Sequence, residues 1–246
     1  MDKLLTKMMA ISLDCLVVDF FSFSYSEWVS GKEKVLQQLS QFDFPVVVKP
    51  VNQGSSIGVS FARNMDEFNK AVTLGFKFDQ TLLIERAIVE KREFNCCLLK
   101  TCEGKILAKV DEPISNKVVI GFKDKYLDGK NAGKGKLGKN FAGMETQKRK
   151  VGNLPNKLKN QIISMSKVMY ESLEMNGVVR FDYIYDTTKE RAYLGEINAV
   201  PGSLGYYFFE EENLVKLLYD AGKNYCNVAG QCPDEYGRYR RRLEYF

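Results

Sequence analysis

Hydrophobic and polar residues alternate through residues 178–185 and again through residues 191–198, with a polar turn at 186–190 between them. Two such runs around a short polar turn predict a β-hairpin. Successive side chains of a strand point to opposite faces, so a turn centred near Thr188 places Arg180 and Asp182 across from Glu196 and Leu194, respectively. Asn198 joins that polar face. The opposite face is apolar and consists of Val179, Phe181, Tyr183, Tyr193 and Ile197.

The polar face of this hairpin collects an arginine, two carboxylates and an amide, a set that is costly to bury without compensation. Carboxylate and amide oxygens are the ligands that Mg²⁺ prefers, and Arg180 beside them is suited to an anion or to developing negative charge. The turn Asn198–Gly202 that follows brings backbone N–H groups next to the cluster. An Arg–carboxylate ion pair on a solvated sheet face is the alternative, and the spacing alone leaves both open.

The rest of the chain mixes helical and strand-like patterns. Helices are predicted at 1–11, 32–42, 65–76, 155–173 and 211–225, with Asn64 as the N-cap of the third. Strands are predicted at 16–23, 44–48, 57–61, 81–84, 93–99 and 105–110, and the run 204–209 is rich in aromatic residues.

Residues at the ends of two predicted strands are candidates for binding phosphate or a purine base. Lys49 follows a strand and precedes the turn Asn52–Ser56, whose backbone N–H groups and hydroxyls are able to close over phosphates. An ordinary hairpin with a Gly/Ser tip is the interpretation that the residues alone favour, and the order of a Walker motif is absent. Glu85 stands where the strand 81–84 ends, a position from which a carboxylate either pairs with a purine edge or is simply solvated.

Residues 121–150 are dominated by Gly and Lys without periodicity, which predicts a long mobile loop. Such a loop is either a lid over a phosphate site, with Lys123 and Lys125 where ordered chain ends, or a solvated basic insertion. The second interpretation is favoured for the Lys-Gly repeat at 133–139. The tail 227–246 is predicted to be a solvated or weakly docked extension, with contact to an anionic partner as the lesser alternative.

Composition narrows the function classes. The net charge of +5 suits phosphorylated small ligands but is too weak to indicate nucleic-acid binding. The sequence contains no histidine, which excludes Ser-His-Asp and Cys-His nucleophilic sites and any zinc site that needs imidazole. The six cysteines form no CxxC pair and are interpreted as reduced core thiols. Without a signal peptide or a membrane-length apolar run, we expect a soluble, cytoplasmic protein that does not bind membranes.

Seven motifs occur in an order that resembles the ATP-grasp enzymes, and within them the D-alanine–D-alanine ligases: VVVKP, GSSIGV, LLIER, REFNCCLL, DKYL, GVVRFDYIYD and LGEINAVPG. The resemblance runs from Met1 to about Cys226. It implies an α+β fold in which two lobes clasp ATP. The implied units are a smaller lobe at 1–90, a C-terminal lobe at 91–226 with a lid loop at 121–150, and the tail at 227–246.

The resemblance also implies roles for individual residues. Phosphates of ATP would be held by Lys3, Lys49, Gly54, Ser55, Ser56 and Gly58. The base and ribose would be contacted by Glu85, the backbone of Arg86 to Ile88, and Glu93. Lys125 and Tyr126 would close over the γ-phosphate and substrate. The ligands of Mg²⁺ (or Mn²⁺) would be Asp182, Glu196 and Asn198, and the tetrahedral oxyanion would be steadied by Arg180 and the N–H group of Gly202.

The implied reaction joins two D-alanines through an acyl phosphate, for peptidoglycan precursor synthesis. The alternatives are a ligase with another acceptor and an ATP-binding remnant without catalysis. The resembled enzymes begin with a further domain that carries a His-Gly and Gly-Glu signature, and this sequence starts where their next domain starts. Either the reading frame is truncated or misassigned, or the missing part comes from another chain, in a homodimer or from a partner. They also have a serine after the Pro-Gly turn, where this chain has Tyr206 and Tyr207.

Overall fold

The computed structural model describes residues 2–54, 56–113, 149–150, 154–210 and 212–229. Its described strands form two antiparallel sheets with helices packed beside them, so the chain has the α+β fold that the sequence predicts. Within the described residues, no helix combines the length and the apolar character that crossing a bilayer requires.

The first sheet has the strand order β1-β4-β2-β3. Its elements, with the helices that accompany them, are α1 (Lys3–Ser12), β1 (Phe20–Ser24), α2 (Tyr25–Ser30), α3 (Lys32–Leu39), β2 (Val46–Pro50), β3 (Ser60–Ala62), α4 (Met65–Gly75) and β4 (Thr81–Arg86). The side chain of Asn64 accepts a hydrogen bond from the N–H group of Glu67, which confirms the predicted N-cap of α4. Strand β3 pairs with β2, so the predicted hairpin around the Gly/Ser turn is present.

The second sheet has the order β7-β6-β5-β8-β9. Its elements and the helices that follow the chain around it are β5 (Lys91–Lys100), β6 (Ile106–Pro113), β7 (Arg149–Lys150), α5 (Asn156–Ser172), β8 (Val178–Asp186), β9 (Arg191–Asn198), a 3₁₀-helix (Gly202–Phe208) and α6 (Leu214–Ala229). Helix α5 buries Leu158, Ile162, Met165 and Met169 against this sheet. Each such side chain contributes about 1.5–3 kcal/mol when fully buried.

Two elements depart from the predicted organisation. Arg149–Lys150, which the composition assigned to a mobile loop, pairs as a strand with β6. Helix α6 ends at Ala229 and therefore includes the first residues of the predicted tail. Residues 121–148 of the loop and residues 230–246 of the tail lie outside the described residues.

Helix α1 contacts both sheets because its buried side is shared between them. Ala10 belongs to the core cluster of the second sheet, and the N–H group of Lys3 donates to the carbonyl oxygen of Val51 beside the first. Just after α1, the N–H group of Leu194 in β9 donates to the carbonyl oxygen of Leu16 at 2.8 Å. The chain segment around α1 therefore holds the two sheets next to each other.

The predicted register of the β8–β9 hairpin is wrong by one residue on the turn side and by two residues beyond an inserted residue. Asp182 pairs with Glu196 and Tyr183 pairs with Leu194, so Gly195 is left as the extra residue of a β-bulge. A Cβ atom at Gly195 would lie 3.2 Å from the carbonyl oxygen of Asp182, which explains why the bulge uses glycine. The prediction assumed that side chains alternate strictly along both strands and did not allow for this inserted residue.

The bulge changes which residues share a face. Leu194 lies in the core cluster with Phe181 and Tyr183, not on the polar face where the even count placed it. Tyr193, predicted for the apolar face, instead pairs with Ile184 and is not part of that core cluster. Between the bulge and the Asn198 end the predicted pairs are also wrong, because Arg180 pairs with Asn198 and Asp182 pairs with Glu196. The shift there is two residues, so these four side chains still share one face, as predicted.

Candidate active site

Asp182 is the most heavily bonded carboxylate on the polar face of the β8–β9 hairpin. Arg180 donates to both of its oxygens, from Nε to Oδ1 at 2.7 Å and from Nη2 to Oδ2 at 2.9 Å. Asn198 donates from Nδ2 to Oδ2 at 2.8 Å, and Asn95 donates from Nδ2 to Oδ1 at 2.7 Å. The ion pair that the sequence offered as an alternative to a metal site is therefore present in this structure.

Asn95 is a residue of this cluster that sequence reasoning missed. It lies on β5, where its register partners are Asp111 on β6 and Asp182 on β8. Asp182 in turn pairs with Glu196, so a row of carboxylate and amide side chains crosses four strands. The signal was available in the sequence, because Asn95 interrupts an otherwise apolar strand.

The donor set fits a divalent cation. Asn198 donates to Asp182 from its amide nitrogen, so its side-chain oxygen is a potential cation ligand. The side-chain oxygen of Asn95 is buried without a hydrogen-bond partner among the described residues. Within the same residues, no group of three His, Cys, Asp or Glu side chains is placed to hold a metal. A cation here would therefore depend on Asp182, Glu196 and amide oxygens, which are the hard ligands that Mg²⁺ accepts.

Arg180 remains charged despite its burial. Its residue surface is only 7% exposed. Burial alone would lower the pKa of the guanidinium, but the hydrogen bonds and charge of Asp182 outweigh this and raise the pKa above its usual value. Nη1 of Arg180 also lies 3.4 Å from the hydroxyl of Tyr207. The face thus offers a permanent positive charge next to the candidate cation ligands.

The turn after Asn198 leads into a left-handed stretch of backbone. Ser203, Leu204 and Gly205 have φ values of 51°, 49° and 65° at the start of the 3₁₀-helix. Left-handed backbone at non-glycine residues is uncommon and concentrates at functional sites. Gly202 lies immediately before this stretch. Among the described residues no atom within 4 Å would obstruct a Cβ there, so they leave the space beside its backbone open.

A second charged cluster surrounds Glu85 at the end of β4. Glu85 is 2% exposed. Nζ of Lys49 donates to its Oε2 at 2.5 Å, and Nζ of Lys7 lies 3.0 Å from its Oε1. The Lys7 contact has an ion-pair distance but not the angles of a hydrogen bond. The sequence analysis missed Lys7, although it stands one helical turn after Lys3 in α1 and therefore shares its face.

The charges of this cluster are interdependent. Burial alone would raise the pKa of Glu85, but the ammonium groups of Lys49 and Lys7 lower it to about 2. Burial lowers the pKa of Lys7, and Glu85 acts in the opposite direction. Glu85 is therefore ionised at neutral pH, and its negative charge is what makes a buried Lys7 tolerable.

Lys3 connects the two charged clusters. Its ammonium donates to the carbonyl oxygen of Gln53 in the Gly/Ser turn. Burial lowers the pKa of Lys3, and the leading opposing influence is the charge of Glu196 on β9, followed by Glu85 with the same sign. Lys3 thus lies within electrostatic reach of both the lysine-rich cluster and the polar face of the hairpin.

The turn that was assigned to phosphates has a partly left-handed backbone. Ser56 and Gly58 have φ values of 59° and 71°, and the N–H group of Ile57 donates to the carbonyl oxygen of Gly54. Ser55 lies outside the described residues, as do Lys125 and Tyr126. Their predicted roles therefore stay predictions.

Two of the residues assigned to the base and ribose form ion pairs with side chains outside the Glu85 cluster. Arg86 forms an ion pair with Asp19 at 3.2 Å, and Glu93 forms one with Lys91 at 2.7 Å. The Glu93 side chain is 48% exposed. Ile88 lies in the connection between β4 and β5 and is half-buried. Glu93 is thus an exposed carboxylate on the strand that follows this connection.

The profile of the family described as D-ala D-ala ligase C-terminus matches residues 9–213. The chain belongs to this family. A D-alanine–D-alanine ligase of Thermosipho africanus is 25% identical over 233 residues, which cover 91% of this chain and 59% of that protein. A ligase of the same name from Helicobacter pylori is 30% identical over 222 residues, covering 88% and 57%. The chain therefore spans slightly more than half the length of these relatives.

Solved structures agree on the fold. The D-alanine–D-alanine ligase of Coxiella burnetii matches with a TM-score of 0.72 at 21% identity, covering 98% of this chain and 62% of that chain. The ligase of Helicobacter pylori matches with a TM-score of 0.65 at 24% identity, covering 91% and 57%. The chain therefore has the ATP-grasp fold that the ordered motifs indicated.

Proposed function

We propose that the chain binds MgATP between the Glu85 cluster and the polar face of the β8–β9 hairpin, and that it contributes this site to a D-alanine–D-alanine ligase. The observation that supports this most is the position of Lys3. The charges of Glu85 and Glu196 both act on its ammonium group. A triphosphate that extends from one cluster to the other would therefore pass close to this lysine. Family membership supplies the reaction class.

In this proposal the lysines and the turn bind the nucleotide. Lys3, Lys49 and the turn that includes Gly54, Ser56 and Gly58 receive the phosphates, together with Ser55. Arg86, Ile88 and Glu93 line the base and ribose beside Glu85. The bound cation would be held by Asp182, Glu196 and Asn198, and its chemistry is to offset negative charge on the phosphates. Lys125 and Tyr126 would close over the γ-phosphate.

The reaction needs a carboxylate placed in line with the γ-phosphate. Transfer of that phosphoryl group gives an acyl phosphate and ADP, and an amine then attacks the acyl carbon and displaces phosphate. Arg180 and the N–H group of Gly202 are proposed to bind the oxyanion of that displacement. Arg180 suits the role because its charge is fixed and its orientation is held by Asp182. Engaging the cation would require Asp182 to relax part of this bidentate pairing.

The organisation that we propose has the smaller lobe at 1–90 and the second lobe at 91–226. The first D-alanine site would be completed by the N-terminal region that full-length relatives carry, in a homodimer or from a partner chain. Positioning errors cost orders of magnitude in rate. The chain of 246 residues is therefore expected to bind MgATP and to ligate D-alanine slowly or not at all.

The test is a calorimetric titration of the 246-residue chain with MgATP, together with an assay of ADP release in the presence of D-alanine. We expect MgATP binding that Glu196→Gln weakens strongly. We also expect ligation that rises when the N-terminal region of a relative is fused or added in trans. Absence of MgATP binding would refute the proposal, and full turnover by the chain alone would refute the need for the added region.

A second candidate function keeps the nucleotide site and changes the acceptor. The hydroxyl of Tyr207 lies 3.4 Å from Nη1 of Arg180, so an aromatic side chain borders the proposed oxyanion position. This favours an acceptor other than D-alanine, such as another amino acid or a hydroxy acid. A panel of acceptors offered with D-alanine and ATP distinguishes the two, because the product formed fastest identifies the acceptor.

A further inference from the structure

Lys7 is a buried lysine to which the proposed function gives no role. Its side chain is 1% exposed, against 16% for Lys49, which shares the same carboxylate. The ammonium of Lys7 also lies 5.3 Å from the ring centroid of Phe20 on β1. A charge so far from water is costly unless it is paired, so its placement on Glu85 requires an explanation beyond packing.

The two oxygens of Glu85 have different partners. Oε1 faces the buried Lys7, while Oε2 accepts a hydrogen bond from the more exposed Lys49. Oε1 accepts no hydrogen bond within the part of the chain that the structure describes. If Lys49 binds a phosphate, as proposed above, Oε2 would lose its partner while Oε1 would keep Lys7. The carboxylate is thus fixed on its inner side and exchangeable on its outer side.

We propose that Lys7 is a positioning residue that makes the nucleotide site selective for adenine, because it holds the carboxylate of Glu85 ionised with Oε2 directed to the base. This inference rests on the MgATP site proposed above. An ionised carboxylate only accepts hydrogen bonds. Adenine presents an amino donor at its 6-position, whereas 6-oxo purines present a carbonyl acceptor there. An ionised Glu85 therefore binds the first and repels the second.

The charged groups around Glu85 support this role. Lys7 faces it from α1 and Lys49 faces it from β2, while Lys3 on α1 donates to the carbonyl oxygen of Gln53. The register partner of Glu85 on β1 is the apolar Phe20. Burial raises the pKa of Glu85, and the nearby ammonium groups reverse this. With Lys7 removed and Lys49 drawn to a phosphate, burial would dominate. The protonated carboxyl then has an O–H group that donates to a 6-oxo purine.

The experiment compares the binding of MgATP and magnesium inosine triphosphate by calorimetric titration of the full chain, at pH 8 and pH 6. A site that hydrogen-bonds a substrate group rejects the analogue that lacks it, so we expect the wild type to prefer ATP by about tenfold or more. Lys7→Met should reduce this preference about tenfold, and more at pH 6 than at pH 8. The matched control Lys3→Met, on the same buried face of α1, should weaken both nucleotides equally.

A second variant keeps the inference testable if Lys7→Met does not fold. Glu85→Gln replaces the carboxylate with an amide that both donates and accepts, so it should lose the preference for ATP at both pH values. In that background, adding Lys7→Met should leave the ratio of the two affinities unchanged. Circular dichroism and urea unfolding establish that each variant is folded.

Several outcomes would overturn the inference. They are an unchanged preference in Lys7→Met, a preference that persists in Glu85→Gln, and an equal loss of preference in Lys3→Met. A wild type that binds both nucleotides equally would leave the MgATP site in place and refute the role of Lys7. A wild type that binds neither nucleotide would refute the proposed function and this inference together.

Discussion

Replacing Asp182 by asparagine should reduce stability far more than replacing Glu196 by glutamine, although we assign both carboxylates to the same cation site. Only Asp182 also holds Arg180, through bonds of 2.7 and 2.9 Å. The Arg180 side chain is 9% exposed and that of Asp182 is 27% exposed. Asp182→Asn therefore leaves a largely buried guanidinium without its carboxylate, whereas no ion pair of Glu196 is found within the described residues.

The magnitude follows from this geometry. Breaking a buried ion pair by removing one partner costs about 3–5 kcal/mol. Partial exposure of Asp182 and the oxygen that asparagine retains lower our expectation to about 2–3 kcal/mol. For a chain of this size, each kcal/mol corresponds to about 2–4 °C in Tm. Asp182→Asn should thus lower Tm by roughly 5–10 °C, and Glu196→Gln by less than about 2 °C.

The assay is differential scanning calorimetry in EDTA without nucleotide, followed by calorimetric titration with MgATP. Both variants should lose Mg²⁺-dependent binding, while only Asp182→Asn loses stability. The double variant Arg180→Met with Asp182→Asn should recover part of the Tm, because it removes the uncompensated charge as well. Equal Tm changes in the two single variants, or no recovery in the double variant, would refute the reasoning.

Three further predictions concern other parts of the site. The pKa of Glu85 falls from 4.5 to about 2 on folding. This contributes about 3 kcal/mol of stability above pH 4.5 that is lost as the pH falls toward 2, and urea unfolding at stepped pH should show this loss reduced in Glu85→Gln. With the N-terminal region of a relative supplied, Lys125→Ala should lower steady-state turnover far more than ATP affinity, while shortening of 130–139 should be tolerated. Gly205→Ala should destabilise by about 1–3 kcal/mol in urea unfolding, because φ is +65° and the new Cβ would lie 3.0 Å from Sγ of Cys97.

The sequence was sufficient to predict the elements and the shared face of the hairpin. Amphipathic periodicity and N-capping are local, so α4, α5 and the β8–β9 hairpin follow from neighbouring residues. The grouping of Arg180, Asp182, Glu196 and Asn198 also follows, because these residues lie close to one another along two paired strands. Local rules are reliable where the partners are adjacent strands of one hairpin.

The remaining features depend on contacts distant in sequence. Asn95 contacts Asp182 from another strand, and Lys7 contacts Glu85, which lies 78 residues later in the sequence. In addition, α1 directs Lys3, Thr6, Lys7 and Ala10 inward, whereas Leu5, Met8 and Ile11 are exposed. Hydrophobicity alone would orient this helix the other way round. The side that is buried is the one on which Lys7 pairs with Glu85 and Ala10 packs into the core of the second sheet.

The inserted residue at Gly195 has a consequence for how β9 tolerates substitution. Before it, the side chains in the core are the even-numbered Ala192 and Leu194, and after it the core side chain is the odd-numbered Ile197. A polar scan along this strand should therefore show alternating sensitivity whose phase shifts by one position at residue 195. Deleting Gly195 would restore an even alternation and leave Glu196 opposite Asp182 on the polar face, so this strand should accept loss of the inserted residue but not a polar residue at Leu194 or Ile197.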